Sequence, residues 1–223
     1  MMSTLAHTSL LVRQIAALRA AMAHPTPLKV EEVLIFRNLA GQPMRPMQPP
    51  PGVAPRTAAV LLLFYPRDDE LWIPLTLRSA RLTTHRGEVS LPGGGCDQHD
   101  DGPVATALRE AWEELAISPD CVEVLGTLTS FYIAPSNNCL TPVVGLNRGQ
   151  PTIRPDPHEV EAAFSVPLRR LLDPQTVAEE VWELHGQQMR VPFFLLEGHK
   201  VWGATALLLS ELVVRLRRVG LSV

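Results

Sequence analysis

Cysteine is scarce in this chain: Cys96, Cys121 and Cys139 are its three, an odd number without C-x-x-C spacing. That argues against a disulfide framework or a zinc site and suits reduced thiols in a cytosol. No apolar run approaches the ~20 residues of a membrane span. The opening MMSTLAHTSLLVRQ lacks a basic start followed by an apolar block, so no secretory leader is expected. A net charge of −3 gives no electrostatic case for nucleic acid or an anionic membrane as partner. Internal repeats are missing too. What is left is a cytoplasmic, soluble chain of 223 residues, enough for one sizeable core and few for two. Its 46% hydrophobic and 19% charged residues are those of an ordinary globular protein.

What the chain does have is concentrated in residues 91–117, LPGGGCDQHDDGPVATALREAWEELAI. A glycine-rich turn and an acidic loop run into a helix. Pro103 suits its first position, with Gly102 or Asp101 as cap, and Ser118-Pro119 stops it. At about 100° per residue, Glu110, Glu113 and Glu114 fall within one sector about 100° wide. Val104, Leu108, Ala111 and Leu115 form a separate apolar stripe for burial. Carboxylates one turn apart repel unless a cation sits between them. A hard divalent ion, Mg²⁺ or Mn²⁺, suits such oxygens and keeps waters for a phosphate substrate. Gly93, Gly94 and Gly95 allow a backbone carbonyl, Gly94 first, to approach that metal. Arg109 can reach Glu113 or the acidic loop and lock the loop to the helix.

The rest of the chain reads as a frame for this stretch. Residues 9–22 carry Leu11, Ile15, Leu18 and Met22 at helical spacing, suited to packing or to a homodimer seam. Six prolines between positions 43 and 55 exclude helix and central strand there, so residues 1–55 read as an N-terminal helix plus an extended linker or strap. The catalytic domain is expected over 56–223, folding and working without residues 1–50 unless the first helix covers an apolar patch. Strands are expected at 57–65, 71–77, 122–133, 140–146 and 160–166. A hairpin is expected around Gly186, and a closing helix over 201–218. Strands, helix, strands and a last helix give an α/β class with a mixed sheet between helices.

Residues 95–117 resemble the Nudix box, G-x5-E-x7-R-E-U-x-E-E-x-G-U with U aliphatic. Arg109-Glu110, Glu113-Glu114 and Ile117 match it. Asp101 stands at the first glutamate if Gly95 is the motif glycine, while starting from Gly94 and Asp100 needs one extra residue before Arg109. Ala111 is a small aliphatic, and Ala116 replaces the last glycine. The resemblance implies the Nudix α/β/α sandwich and hydrolysis of a diphosphate in a small molecule. It implies metal ligands among Glu110, Glu113, Glu114 and the Gly94 carbonyl, with Arg109 in the catalytic group. Upstream, Leu75-Thr76, Arg78-Ser79, His85, Gly87 and Pro92-Gly93-Gly94 are similar to the coenzyme A pyrophosphatase branch, with departures at Thr83 and Leu91. So are Thr141–Gly145, Glu159-Val160 with Val166–Leu168, and Val201–Ala206.

The branch implies substrate contacts from Arg78, Ser79, Arg81, His85, Arg86, Gly93 and Gly94, with coenzyme A or its acyl forms as substrate. The guanidinium groups suit a phosphate-rich ligand. ADP-ribose, a dinucleotide or a nucleoside triphosphate is the alternative substrate, and a non-catalytic ligand sensor the third reading. The general base is open among Glu110, Glu88, Asp97 and Glu159.

Overall fold

The structure, a computed structural model, describes residues 9–23, 29–79, 87–184 and 186–222. In chain order its elements are α1 (Leu10–Ala23), β1 (Arg56–Arg67), β2 (Glu70–Arg78), β3 (Val89–Ser90), β4 (Gly93–Gly95), α2 (Gly102–Leu115), β5 (Val122–Thr127) and β6 (Phe131–Ile133). They continue with β7 (Asn138–Asn147), β8 (Val160–Pro167), α3 (Leu168–Leu172), β9 (Val177–Leu184), β10 (Gln187–Leu196), β11 (His199–Val201) and α4 (Gly203–Arg218).

The apolar run expected as the first strand is β1, and its alternation splits the chain into two cores. Ala59, Leu61 and Leu63 point to one face, where they pack with Ala107, Ala111 and Leu115 of α2. Ala58, Leu62 and Phe64 point to the other, with Leu18 of α1 and Leu208 and Leu212 of α4. Side chains that alternate along a strand bury both faces only when helices cover both. The result is a mixed sheet between helices, as the element pattern predicts.

Pairing around β1 sets the site. β7 runs parallel to β1 along one edge, from Arg56↔Asn138 to Phe64↔Leu146. The other edge is shared: β4 pairs with its first half, Ala58↔Gly95 to Val60↔Gly93, and β2 with its end. β8 continues the sheet on β2, ending at Arg78↔Val160 across a register shift. β5 and β6 both pair with β7, and β9, β10 and β11 form a separate antiparallel sheet. The glycine run expected as a turn is thus a short strand, and the expected strand over 122–133 is two. The closing helix starts at Gly203, because residues 199–201 pair with β10.

The N-terminal segment is built into the same core. Leu18 is fully buried. The Gln14 side-chain oxygen accepts the Leu71 N–H at 2.7 Å, and Leu11 and Ile15 pack inward. The face that suits a homodimer seam is therefore covered within the chain. The proline-rich strap follows β6, where the Tyr132 N–H donates to the Met47 carbonyl at 3.0 Å. Arg45 lies over the Phe131 ring at 5.0 Å. The boundary near residue 56 divides sequence character, while the core spans it. Removing residues 1–50 is expected to cost more than the ~2–5 kcal/mol of one buried leucine, a large part of a typical ~5–15 kcal/mol total. Thermal unfolding of a chain beginning at residue 51 checks this. An unchanged midpoint would make the N-terminal segment a separable extension.

Candidate active site

Helix α2 carries the site, and its two faces do different work. Ala107, Ala111 and Leu115 are fully buried under the sheet, with Val104 and Leu108 partly so. Asp101 occupies the cap position without a side-chain cap bond, and Pro103 stands in the first turn. The helix ends on Ala116 in the left-handed region, φ 57°, with the Ala116 and Ile117 N–H groups on the Trp112 and Ala111 carbonyls. The box glycine is replaced at a position whose backbone still favours glycine. Left-handed alanine costs roughly 1–2 kcal/mol, offset in part by glycine's extra unfolded-state entropy. Ala116→Gly is accordingly expected to raise the melting temperature by about 1–4 °C, read by calorimetry. A drop would mean that the cap geometry is not limiting.

Arg109 is the hub of the acidic loop. Its Nε and Nη2 donate to the two Asp100 carboxylate oxygens at 3.0 and 2.9 Å, and Nη2 also to the Gly95 carbonyl at 3.0 Å. Nη1 contacts Glu110 at 2.9 Å and Glu113 at 2.8 Å. The Asp100 carboxylate is also bonded by the Thr106 hydroxyl and the Asp97 N–H, each at 2.9 Å. Hydrogen bonding from Arg109, then from the backbone, holds Asp100 well below the usual carboxylate range. The partner of Arg109 in the acidic loop is therefore Asp100, the aspartate of the register that begins at Gly94. Nothing in local spacing separates two adjacent aspartates. The fold of residues 96–101 decides between them.

Glu110 and Glu114, one turn apart, face β4. Glu114 is 2% exposed, and its Oε2 has no hydrogen-bond partner. Burial pushes its carboxyl up to about 8, against the pull of Arg78, with Glu159 and Glu110 adding repulsion. The Gly93 N–H donates to it. Glu110 is raised by burial too, partly opposed by Arg109, and Glu113 and Glu159 push it in the same upward direction. The Glu110 carboxylate lies against the backbone of Gly94: a Cβ there would sit 2.6 Å from both oxygens. At Gly93 the limit is backbone, since a Cβ would land on the Ala59 carbonyl and the Val60 Cα.

Other expected residues are placed unevenly. Glu113 turns outward, 53% exposed and paired with Arg109, so the sector shared by three carboxylates resolves into two inward and one outward. Arg78 stands at the end of β2 with Nη1 4.0 Å from Glu114 and a buried Nε without a hydrogen-bond partner. The Ser79 N–H donates to the Glu159 carbonyl at 2.9 Å, tying the chain after β2 to the segment before β8. Of the candidate bases, Glu159 acts on both carboxylates of the pair. It was one of four options by sequence, because nothing local links it to a helix some 45 residues upstream. Arg81, His85 and Arg86 lie outside the described residues.

The donor set fits a hard divalent cation. Two carboxylates held together in a largely dry site, one with an unused oxygen, are costly as anions and are relieved by a cation. Among the described residues no group of three or more His, Cys, Asp or Glu side chains is spaced to hold a metal by itself. Held by Glu110 and Glu114, such an ion would keep coordination positions for water and substrate.

The NUDIX domain profile matches residues 55–185. Nudix hydrolase 15, mitochondrial, of Arabidopsis thaliana is 36% identical over 164 residues, 70% of this chain and 57% of that protein. NudL of Photorhabdus laumondii, described as an uncharacterized Nudix hydrolase, is 39% identical over 161 residues, 70% of this chain and 83% of that one. The human mitochondrial coenzyme A diphosphatase NUDT8 is 39% identical over 149 residues, 65% of this chain and 62% of that one. The chain spans 57% and 53% of two plant relatives, about half their length. With the carboxylate pair of α2 set against β4 and more than half of its length matched, the chain belongs to the Nudix hydrolase family.

Proposed function

We propose that this chain is a divalent-metal-dependent diphosphatase that hydrolyses coenzyme A, or its acyl forms, to 4′-phosphopantetheine (or acyl form) and adenosine 3′,5′-bisphosphate. The observation that carries the hydrolase reading is the buried Glu110–Glu114 pair, with a free Glu114 oxygen beside a backbone that Gly94 keeps bare. The coenzyme A assignment is supported by the residues upstream of the box and by the likeness to a coenzyme A diphosphatase.

Glu110 and Glu114 would hold Mg²⁺ or Mn²⁺, with Gly94 offering a carbonyl. When bound, the ion supplies charge neutralisation at the diphosphate and a more acidic water. The remaining work belongs to the chain. Arg109 and Asp100 fix the acidic loop and the direction of Glu110. Arg78, beside Glu114, is our choice to bind a non-bridging diphosphate oxygen. Glu159 stands near the pair without being locked to it and is our choice of base. It takes a proton from the attacking water, whose oxygen bonds to one phosphorus while the bridging oxygen leaves with the other. A cytosolic setting fits three unpaired cysteines.

Coenzyme A differs from its 3′-dephospho form by one phosphate. With Arg78 at the carboxylates, Arg81 and Arg86 are the choice for the 3′-phosphate. One charge-assisted contact is worth roughly 1.5–3 kcal/mol, so kcat/KM is expected to favour coenzyme A by about 10- to 150-fold. Replacing Arg81 or Arg86 by Ala should narrow that gap. Steady-state rates on coenzyme A, 3′-dephospho-coenzyme A and ADP-ribose test the assignment. Equal values for the first two, or faster ADP-ribose cleavage, would move it to another diphosphate.

A further inference from the structure

Among the described residues, the sheet carries a partly exposed floor beside the carboxylates. The face of β1 that bears Ala59, Leu61 and Leu63 is the face under α2. On that face Ala59 is flanked by Gly94 on one side and Thr141 on the other. Thr57, the next residue outward, is flanked by Cys139 and, through the Cys96 N–H on the Thr57 carbonyl at 2.9 Å, by Cys96. Ser130 joins the floor through its hydroxyl, 2.9 Å from that of Thr141. Thr57 and Cys96 are exposed, and Ser130, Cys139 and Thr141 are partly so. An open cavity of about 510 Å³ lies at the outer end of this floor, lined by Arg56, Thr57, Gly95, Cys96 and Asn138, of which Thr57 and Cys96 belong to the floor.

Two properties say what the floor takes. It adjoins Gly94, which lies under the Glu110 carboxylate, so a group attached to a diphosphate held there reaches it directly. Thr141 is two strand spacings from Gly94, about 10 Å. Its five floor side chains are hydroxyls and thiols without formal charge, and the Arg56 guanidinium at the rim is turned to the Ser136 carbonyl at 2.8 Å. A phosphorylated nucleoside would find no cation in the floor itself, whereas an uncharged chain of amides and hydroxyl finds matching partners. We propose that Thr57, Cys96, Ser130, Cys139 and Thr141 form the subsite for the neutral pantetheine arm of the substrate. This rests on the coenzyme A reading and adds which half of the molecule lies on which part of the sheet.

The cysteines supply the test. Cys96 and Cys139 belong to the floor. Cys121 is exposed at the far end of β7, next to Val122, which pairs with Asn147. Eight residues of strand separate Asn147 from Cys139, about 26 Å. Alkylation of the full chain is followed by mass spectrometry with either product half added, S-methyl-4′-phosphopantetheine or adenosine 3′,5′-bisphosphate. At about ten times its Kd the first is expected to slow labelling of Cys96 and Cys139 roughly 10-fold, leaving Cys121 unchanged. Thr141→Val, which keeps shape and loses the hydroxyl, should raise KM for coenzyme A about 5- to 10-fold with kcat kept. If coenzyme A is cleaved but the three thiols stay equal, or the bisphosphate gives the protection, the floor assignment is overturned and the substrate reading stands. If coenzyme A is not cleaved at all, the substrate reading has failed and takes the floor assignment with it.

Discussion

Replacing Glu114 with Gln is expected to lower turnover by about 10²-fold or more while the protein stays folded, the scale of losing one key electrostatic group. The amide keeps the shape and removes the charge that would bind the cation. The fold should gain from the change, because an ionised carboxylate with an unpaired buried oxygen is itself a burden. Without metal, burial raises the Glu114 carboxyl to about 8, against an ordinary value of 4.5. An acid raised on folding binds more protons folded than unfolded between those values, so its contribution to stability falls as pH rises through that window. In chelator, the melting temperature of Glu114→Gln relative to the unchanged chain should therefore increase from pH 5 to pH 8. Activity of the unchanged chain should vanish in the chelator and return with Mg²⁺ or Mn²⁺. A variant with near-normal kcat would remove Glu114 from the site.

Gly94→Ala is expected to cost about as much activity for a different reason. The added methyl meets the end of the Glu110 side chain, which can swing away, and not the backbone. The fold should survive, but the carboxylate must move by about 1 Å, a misplacement of the order that costs ~10²-fold in rate. The neighbouring glycines serve as controls. A Cβ at Gly95 meets nothing within 4 Å, so Gly95→Ala should be nearly silent. At Gly93 it meets the β1 backbone, so Gly93→Ala should lower stability as well as rate. Circular dichroism melts beside kcat for the three variants separate these outcomes. Normal activity in Gly94→Ala would show that the Glu110 position is not critical.

Much of this centre is legible in the sequence, for definite reasons. The helix, its buried stripe and its glutamates follow from a period of 3.6 residues, and β1 from a continuous apolar run flanked by turn residues. What could not be read depended on contacts between distant segments. Gly93–Gly95 has no side chains to alternate, so nothing marks it as a strand until β1 pairs with it. Glu113 shares a helical sector with Glu110, yet Arg109 draws it outward. Asp100 and Asp101 are adjacent, and only the loop path puts Asp100 on Arg109. Leu18 and Gln14 lie beyond a proline-rich strap that resembles a domain linker, yet they complete the core against β2 and α4. The charge of Glu159 acts on both carboxylates because β8, which begins at the next residue, pairs with β2 at Arg78.

The most direct measurement of the central claim is product analysis of coenzyme A incubated with the full chain and Mg²⁺ in ¹⁸O-water. Water attack on the diphosphate gives equal amounts of 4′-phosphopantetheine and adenosine 3′,5′-bisphosphate, with one ¹⁸O atom in one of them, and Glu114→Gln gives neither at a comparable rate. Intact coenzyme A, or release of inorganic phosphate with 3′-dephospho-coenzyme A, would contradict it.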